Sequence, residues 1–401
     1  LTSIAAAEAA GMADLREHAN PRVKGSFETE FSTPPEIVER LIDEAAVFTR
    51  TSKAYLSDGT EVPAGQPRFE DGKFGQAVMV EEGTTNLLTA NQSSVETDTS
   101  GFVALGDATI SRDTTQYWHG GASLKIVTRL SGGFSIDNPK VAVTGNETYT
   151  ASVFLKGSGT VALYVNEYDS LGKFLRYSGP CVITLNSSWQ RATLTVTVRS
   201  NATQITMYVQ TYGSAQAITF WADGLQIEQK PYATSFIDVT REAETPTIPT
   251  AGVLNPQEGT IECWVKLSHL NPNDYNAFFT SGDVLAPGPR ILIMREFEGG
   301  DVNKIRVFDG NGSSEAILTS VTTLQAGIWY YVAFTWSPSG RKLYVNGVLE
   351  ASNTRSNNLG FATLAKIGSW RSGGYLNGLI DDLRISSRAR TDVEILSAYQ
   401  S

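Results

Sequence analysis

The sequence predicts an all-β protein of two domains, and three observations carry that reading. Glycine, threonine, serine, valine and tyrosine are abundant, with 36 glycines in 401 residues, which suits many short strands joined by turns. Helical periodicity is confined to the two ends of the chain. The third observation is the stretch 327–385, which reads as a succession of strands. In Gly327-Ile-Trp-Tyr-Tyr-Val-Ala-Phe-Thr-Trp336, Tyr331, Ala333 and Thr335 face one way while Tyr330, Val332, Phe334 and Trp336 face the other. Ser337-Pro-Ser-Gly-Arg341 is turn chemistry, Leu343-Tyr-Val345 is the returning strand, and Asn346-Gly347 supplies the positive φ of a tight hairpin.

Composition bounds the function. The formal net charge is −10, from 42 acidic and 32 basic residues, and no basic run occurs, which argues against nucleic acid and anionic membrane as partners. No apolar stretch is long enough to span a membrane, and no signal peptide is visible. A chain that begins at Leu1 rather than Met reads as a fragment or a processed product. Cys181 and Cys263 fall in different domains beside strand residues and read as buried free thiols. His18, His119 and His269 lie far apart without metal-ligand spacing, which disfavours a zinc site or a histidine-dependent triad.

Taken in order, residues 1–44 form a short helical N-terminal connector. A helix runs through His18 and stops at Asn20-Pro21, Ser26 to Phe31 alternates as a short strand, and Thr33 caps a second helix through Glu44. Residues 45–84 are punctuated by Gly59, Gly65, Gly72 and Gly75, ahead of the apolar run Gln76-Ala-Val-Met-Val80. Strand patterns recur through residues 85–239. In Val161-Ala-Leu-Tyr-Val-Asn-Glu-Tyr168, Val161, Leu163 and Val165 share one face and Tyr164, Asn166 and Tyr168 the other. In Ile205-Thr-Met-Tyr-Val-Gln-Thr-Tyr212, Ile205, Met207 and Val209 oppose Tyr208, Gln210 and Tyr212. Residues 240–401 return to long strands with Gly259-Thr-Ile-Glu-Cys-Trp-Val265 and close on a helix at Arg390–Tyr399, capped by Thr391 or Asp392.

Several of these motifs resemble known families. The Trp-bearing strand, the Tyr344-Val-Asn-Gly347 hairpin, Ile367-Gly368 and Gly378-Leu-Ile-Asp-Asp-Leu-Arg-Ile385 resemble the concanavalin A-like, laminin G-like family. Gly72-Lys-Phe-Gly75 resembles the opening of the same domains, but Gly259–Val265, which normally follows within a few residues, arrives about 180 residues late. The resemblance therefore implies a laminin G-like β-sandwich built from 45–84 and 240–401, with a second domain inserted at 85–239. The insert, with Asn86-Leu-Leu88, Gly120-Gly-Ala-Ser-Leu-Lys125, Tyr149-Thr-Ala-Ser152, Trp189 and Ala222-Asp-Gly-Leu-Gln-Ile-Glu228, resembles jelly-roll carbohydrate-binding modules of the family 4/9/22 type. It departs from them at Val95, where Phe is usual, and at Gly224, where a second Asp is usual. The joints Glu81-Glu-Gly-Thr-Thr-Asn-Leu-Leu88 and Pro231-Tyr-Ala-Thr-Ser-Phe236 look like those of phage tail and prophage virion proteins.

Tyr, amide, Tyr at alternate positions of two strands suits a glycan, because aromatic rings stack on sugar C–H faces and amides hydrogen-bond hydroxyls. The alternative is that these tyrosines are strand formers on a half-exposed sheet. Trp118, with Tyr117, is a further candidate contact ahead of Gly120-Gly121. The jelly-roll resemblance implies a structural Ca²⁺ held by Glu96 and Asp223 with carbonyls around His119–Ser123. Asp381 carries the same implication more weakly. Catalysis is not expected: Glu262 is a lone carboxylate on its strand, and Asp381 and Asp382 alternate to opposite faces.

Together these readings describe a non-catalytic adhesion or receptor-binding component of a phage tail or virion. It would recognise bacterial surface polysaccharide, assemble with other tail proteins as a homo-oligomer in a particle, and act on the virion or outside the cell. The alternatives are a purely structural virion decoration protein and an accessory region of a secreted glycoside hydrolase.

Overall fold

The computed structural model describes residues 37–39, 47–215, 217–282, 290–311, 314–371 and 373–401. The chain is all-β apart from short helical segments, and it divides into two compact units. One comprises residues up to Thr51, Gly65–Glu82 and Ala243–Ser401; the other comprises Ser52–Ala64 and Gly83–Glu242.

The first unit is a sandwich. Among the described residues, one sheet has eight strands and includes Gln76–Val80, Gly259–Leu267, Trp329–Ser337, Gly340–Val345 and Gly378–Ser386. The other has seven and includes Asn276–Ser281, Arg290–Arg295 and Lys304–Gly310. Both faces of Trp329–Ser337 are buried, which is why the stretch is so rich in aromatics. Val332, Phe334 and Trp336 enter the core between the sheets, and Tyr331 and Ala333 pack beneath the C-terminal helix. That helix runs Asp392–Gln400 with Thr391 as N-cap in a capping box with Glu394. Asn346 and Gly347 adopt positive φ and join Gly340–Val345 to Val348–Asn353 in a two-residue hairpin.

Two motifs that lie 308 residues apart in sequence meet in space. The Asp381 carboxylate accepts the backbone N–H groups of Lys73 (2.8 Å) and Phe74 (2.9 Å), fixing the Gly72–Gly75 turn. A Cβ on Gly72 would stand 2.7 Å from that carboxylate, so the turn requires glycine. Asp381 is thereby a structural residue.

The second unit is a jelly roll of a five-stranded and a six-stranded sheet, counted among the described residues. Its core includes Leu124, Phe134, Val153, Val161, Leu163, Met207 and Phe220. Cys181 and Cys263 are free thiols, one in each unit; Cys263 is buried as expected, whereas Cys181, on a strand at the edge of its sheet, is only half-buried.

Three expectations need correction. The described part of the expected helix at 33–44, Ile37–Glu39, is a strand paired antiparallel with Arg384–Ser386. Gln76–Val80 covers the same side of Gly378–Ser386 only at 378–380, so the three-residue strand takes the open ladder positions, and backbone pairing there overrides helix propensity. The helix expected through His18 and the strand at 26–31 lie outside the described residues. Helix is also not confined to the chain ends: Ala90–Ser94 forms one turn with a Thr89/Gln92 capping box. Finally, Ser52–Ala64 does not belong with the sandwich. It forms a small hairpin whose Tyr55 is buried against Trp118, Phe154, Phe236 and Ile237 of the jelly roll.

Candidate functional site: a tyrosine face on the jelly roll

The six-stranded sheet runs in the order Phe174–Thr184, Thr160–Tyr168, Gln204–Thr211, Gly132–Ile136, Phe102–Gly106. Val161, Leu163, Val165, Ile205, Met207 and Val209 fill the core, so the alternate residues of both central strands face away from it. The antiparallel register sets these outward residues in rows: Asn166 opposite Thr206, Tyr164 opposite Tyr208, Ala162 opposite Gln210. The next strand adds Ser135 beside Tyr208 and Gly133 beside Gln210. No residue in these rows carries a charge.

The Tyr164 and Tyr208 rings stack with centroids 4.8 Å apart and planes 6° from parallel. Tyr177, on the edge strand opposite Asn166, meets Tyr164 edge-on at 5.9 Å. Tyr164 is only 8% exposed, because it is wedged between Tyr208 and Tyr177 and lies against Gly179, where a Cβ would stand 3.0 Å from the ring. Burial raises its phenol pKa, and burial together with the neighbouring tyrosines pushes Tyr208 up to about 12. Both phenols are therefore neutral hydrogen-bonding groups at ordinary pH. The Asn166 amide nitrogen donates to the Tyr168 hydroxyl at 3.4 Å, and the Gln210 side chain lies near the Tyr164 hydroxyl.

The six residues expected on this face are thus brought together, but with unequal roles. Tyr164 forms a wall. Tyr168 is flanked by the Lys140 ammonium at 5.0 Å and by Phe174 at 6.0 Å. Tyr212, just past the strand end, is 42% exposed. The most exposed ring here is Tyr177, at 59%, which sequence reasoning missed. Pro180 interrupts the apolar pattern of its strand and hides it, although an edge strand tolerates proline. The recoverable signal was the alternation Leu175, Tyr177 ahead of that proline.

Trp118 does not belong to the site. It is 8% exposed and stacks on Phe154 at 3.7 Å and 11°, with Phe236 edge-on at 5.3 Å. It is a core residue of the jelly roll.

Glu96 and Asp223 converge on the segment 118–121. The fully buried Asp223 carboxylate accepts from the backbone N–H groups of Trp118 (2.8 Å), His119 (3.0 Å) and Gly224 (2.7 Å). Glu96 accepts from Gly121 N–H at 3.0 Å. Burial, with a smaller contribution from the Glu96 charge, pushes Asp223 up to about 7. The oxygens of both carboxylates already accept backbone N–H groups of this segment, so as they stand they brace the loop rather than present free hard-oxygen ligands to a cation. Among the described residues no group of three or more His, Cys, Asp or Glu that could hold a metal ion gathers there.

The sandwich carboxylates are committed to structure. Buried Glu262 pairs with Arg390 and lies 3.9 Å from Arg384. Asp382, at positive φ in a bulge opposite Cys263, pairs with Arg384 at 3.0 Å.

Comparison with known proteins agrees with the fold of the sandwich. Residues 240–396 match the concanavalin A-like lectin/glucanases superfamily, in its laminin G-like branch. Among solved structures, the chain is similar to domain 4 of AbnA, a GH43 extracellular arabinanase from Geobacillus stearothermophilus, in complex with arabinotriose. That match has 24% identity, covers 39% of this chain and 73% of that one, and has a TM-score of 0.33. It is also similar to the CBM22-1 xylan-binding domain of Paenibacillus barcinonensis Xyn10C, at 19% identity, 38% and 99% coverage and a TM-score of 0.31. A third is the heptameric SAP-like pentraxin of Limulus polyphemus, at 16% identity, 36% and 70% coverage and a TM-score of 0.28. A search of curated proteins finds no match.

Proposed function

We propose that this protein is a non-catalytic glycan-binding protein whose jelly-roll unit holds carbohydrate on the tyrosine face. The observation that carries the reading is the exposure of Tyr177 and Tyr212 around the Tyr164–Tyr208 stack, with the Asn166 and Gln210 amides between them. Exposed phenol rings offer apolar faces to sugar C–H groups and keep a polar edge for hydroxyls. We further propose a virion setting, as a receptor-binding component of a phage tail directed at bacterial surface polysaccharide, supported by the sequences at the two joints. Weak single-site affinity would then be multiplied by copy number. A structural Ca²⁺ held by Glu96 and Asp223 would brace segment 118–121 in this scheme.

The test is a glycan array that includes bacterial cell-wall polysaccharides. It is run with the intact chain, with the Tyr177→Ala/Tyr212→Ala variant, and with a calcium chelator. Binding lost in the variant supports the reading, and loss on chelation alone assigns the ion a supporting role. One rival has a specific observation behind it. Phe174 and Val182 stand exposed on the same edge strand as Tyr177, as a protein–protein interface would have them. No binding from a folded, multimerised sample leaves that structural role, in a virion, in front. An upstream glycosidase domain in the full reading frame would instead favour an accessory region of a secreted enzyme.

A further inference from the structure

We infer that the jelly roll carries a second binding face, on its five-stranded sheet, where a row of alternating lysine and tryptophan takes an acidic polysaccharide: a uronate carboxylate on Lys156, sugar faces on Trp221 and Trp189. This face belongs to the other sheet from the tyrosines, so it goes beyond the reading above and does not depend on it. The argument starts from the register. The five-stranded sheet runs Gln190–Thr197, Thr148–Gly157, Thr219–Glu228, Ser123–Val127, Thr109–Asp113. Leu124, Ile126, Leu155, Phe220 and Ala222 fill the core, so Lys125, Lys156 and Trp221 face outward. Lys125 and Lys156 oppose Trp221 on its two neighbouring strands, and Ser111 lies beyond Lys125. On the far side Leu155 opposes Gln190, which brings Trp189 to the end of the row, its ring 6.0 Å from the Lys156 ammonium. Lysine and tryptophan thus alternate across the sheet.

The two lysines differ in what they already hold. Lys125 has the Asp113 carboxylate at 3.8 Å, and that carboxylate also accepts the Trp221 indole N–H at 3.0 Å. Hydrogen bonds from Thr115 and Trp221 hold the Asp113 carboxyl down to about 2, so it stays charged. Asp113 therefore neutralises one cation and fixes the ring beside it. Lys156 is different. Its ammonium donates to the Gln116 amide oxygen at 2.7 Å, which engages one of its three protons, and among the described residues no carboxylate reaches it within ion-pairing distance. A chain of net charge −10 thus leaves a cation between two indoles without an anion. The row is open to a ligand: both lysines and both tryptophans are only half-buried, and Val127 on the same face is 39% exposed. Ligand chemistry follows from the alternation. The half-buried ammonium favours an anion, and the indoles favour flat C–H faces. Trp221 and Trp189 stand two strand spacings apart, about 10 Å. A polymer of uronate rings brings a carboxylate and ring faces together. An acidic peptide brings the charge without the faces, and a neutral glycan the faces without the charge.

The test is retention of the intact chain on immobilised polygalacturonate, on the same polymer methyl-esterified, and on polyglutamate, at low salt and at about 0.5 M salt. Three variants accompany it: Lys156→Met, Lys156→Arg and Tyr177→Ala/Tyr212→Ala. The expected result is retention on polygalacturonate that weakens with salt, at least about tenfold weaker binding to the esterified polymer, and none to polyglutamate. Lys156→Met keeps the apolar stem and is expected to weaken polygalacturonate binding about tenfold, the range of one charge-assisted hydrogen bond. Lys156→Arg keeps the cation and is expected to bind within about threefold of the parent, which guards against a variant that merely misfolds. Tyr177→Ala/Tyr212→Ala is expected to retain polygalacturonate as the parent does. Equal retention on the esterified polymer, or polygalacturonate binding that survives Lys156→Met, overturns the inference. Equal retention on polyglutamate also overturns it, in favour of an acidic protein partner. Binding lost in Tyr177→Ala/Tyr212→Ala but kept in Lys156→Met moves the acidic polymer to the tyrosine face and overturns the second one. Retention on none of the three removes the second face and leaves the tyrosine face to be decided by the array.

Discussion

Arg68→Met is expected to destabilise the sandwich unit by about 3–5 kcal/mol, the cost of leaving buried charge without its partner. Arg68 is fully buried. Its guanidinium donates to both oxygens of Glu244, at 2.8 and 2.6 Å, and to Glu81 at 2.7 Å, while Arg50 reaches Glu244 at 2.7 Å. Two arginines and two glutamates make the group neutral. Removing Arg68 leaves two buried carboxylates against one cation, with Glu244 still accepting from the Glu81 backbone N–H at 3.0 Å. The carboxylates also hold Arg68 well above the ordinary arginine pKa, so it stays charged throughout. Against a typical domain stability of about 5–15 kcal/mol, the loss brings the unit close to unfolding. The assay is urea denaturation, with hydrogen exchange of peptides from 243–401 to localise the change. Arg68→Met/Glu81→Gln restores neutrality and is expected to recover at least about half of the loss, a non-additive result that marks coupling. A loss below about 1 kcal/mol in the single variant, or simple additivity in the double, would refute the reasoning.

Four further outcomes are expected. Gly259→Ala places a Cβ 2.2 Å from the buried Trp336 ring, whose indole N–H is already tied to the Asn255 carbonyl at 2.8 Å, so thermal denaturation is expected to show a loss of about 1–3 kcal/mol. Thr391→Ala removes the N-cap of the C-terminal helix, for about 1 kcal/mol. Within that cap, Arg388 holds Glu394 down to about 2, so Glu394 stabilises above its ordinary pKa of about 4.3 and the benefit is lost as pH falls through about 2. Glu394→Gln should flatten stability across that acid window. Tyr208 behaves in the opposite sense. Its raised pKa stabilises the fold fully below the ordinary phenol value of about 10, and this is lost as pH rises through about 12. The 295 nm absorbance of the parent minus Tyr208→Phe should rise near pH 12, and a rise near pH 10 would contradict the buried stack.

What was legible in the sequence was whatever depends on alternation. Period two placed Val161, Leu163 and Val165 in the core and the tyrosines outside, because a strand has only two faces. What was illegible depended on partners from distant segments. Trp118 read as an exposed loop aromatic, and Ser52–Ala64 read as part of the sandwich; these are one error. The aromatic cluster that buries Trp118 includes Tyr55, so assigning Tyr55 to the wrong unit removed part of the cover from the tryptophan. Tyr177 was lost differently, through a proline that demotes a strand in sequence and is harmless at a sheet edge.

The split of the sandwich around 160 residues of another unit also has a physical account. Arg50, Arg68, Glu81 and Glu244 all belong to the sandwich, and each lies within three residues of a point where the chain leaves or re-enters that unit. The Arg50 carbonyl accepts from Gly65 N–H at 2.8 Å, and Glu244 N–H donates to the Glu81 carbonyl at 3.0 Å, so the four chain crossings are tied in two pairs by backbone and across pairs by charge. Holding those ends together offsets the closure entropy of the long excursion, which grows only logarithmically with its length. Beyond that clasp, Gly72–Gly75 is free to meet Asp381 as it would in an uninterrupted domain. The sequence separation of the two sandwich pieces therefore carries little energetic weight.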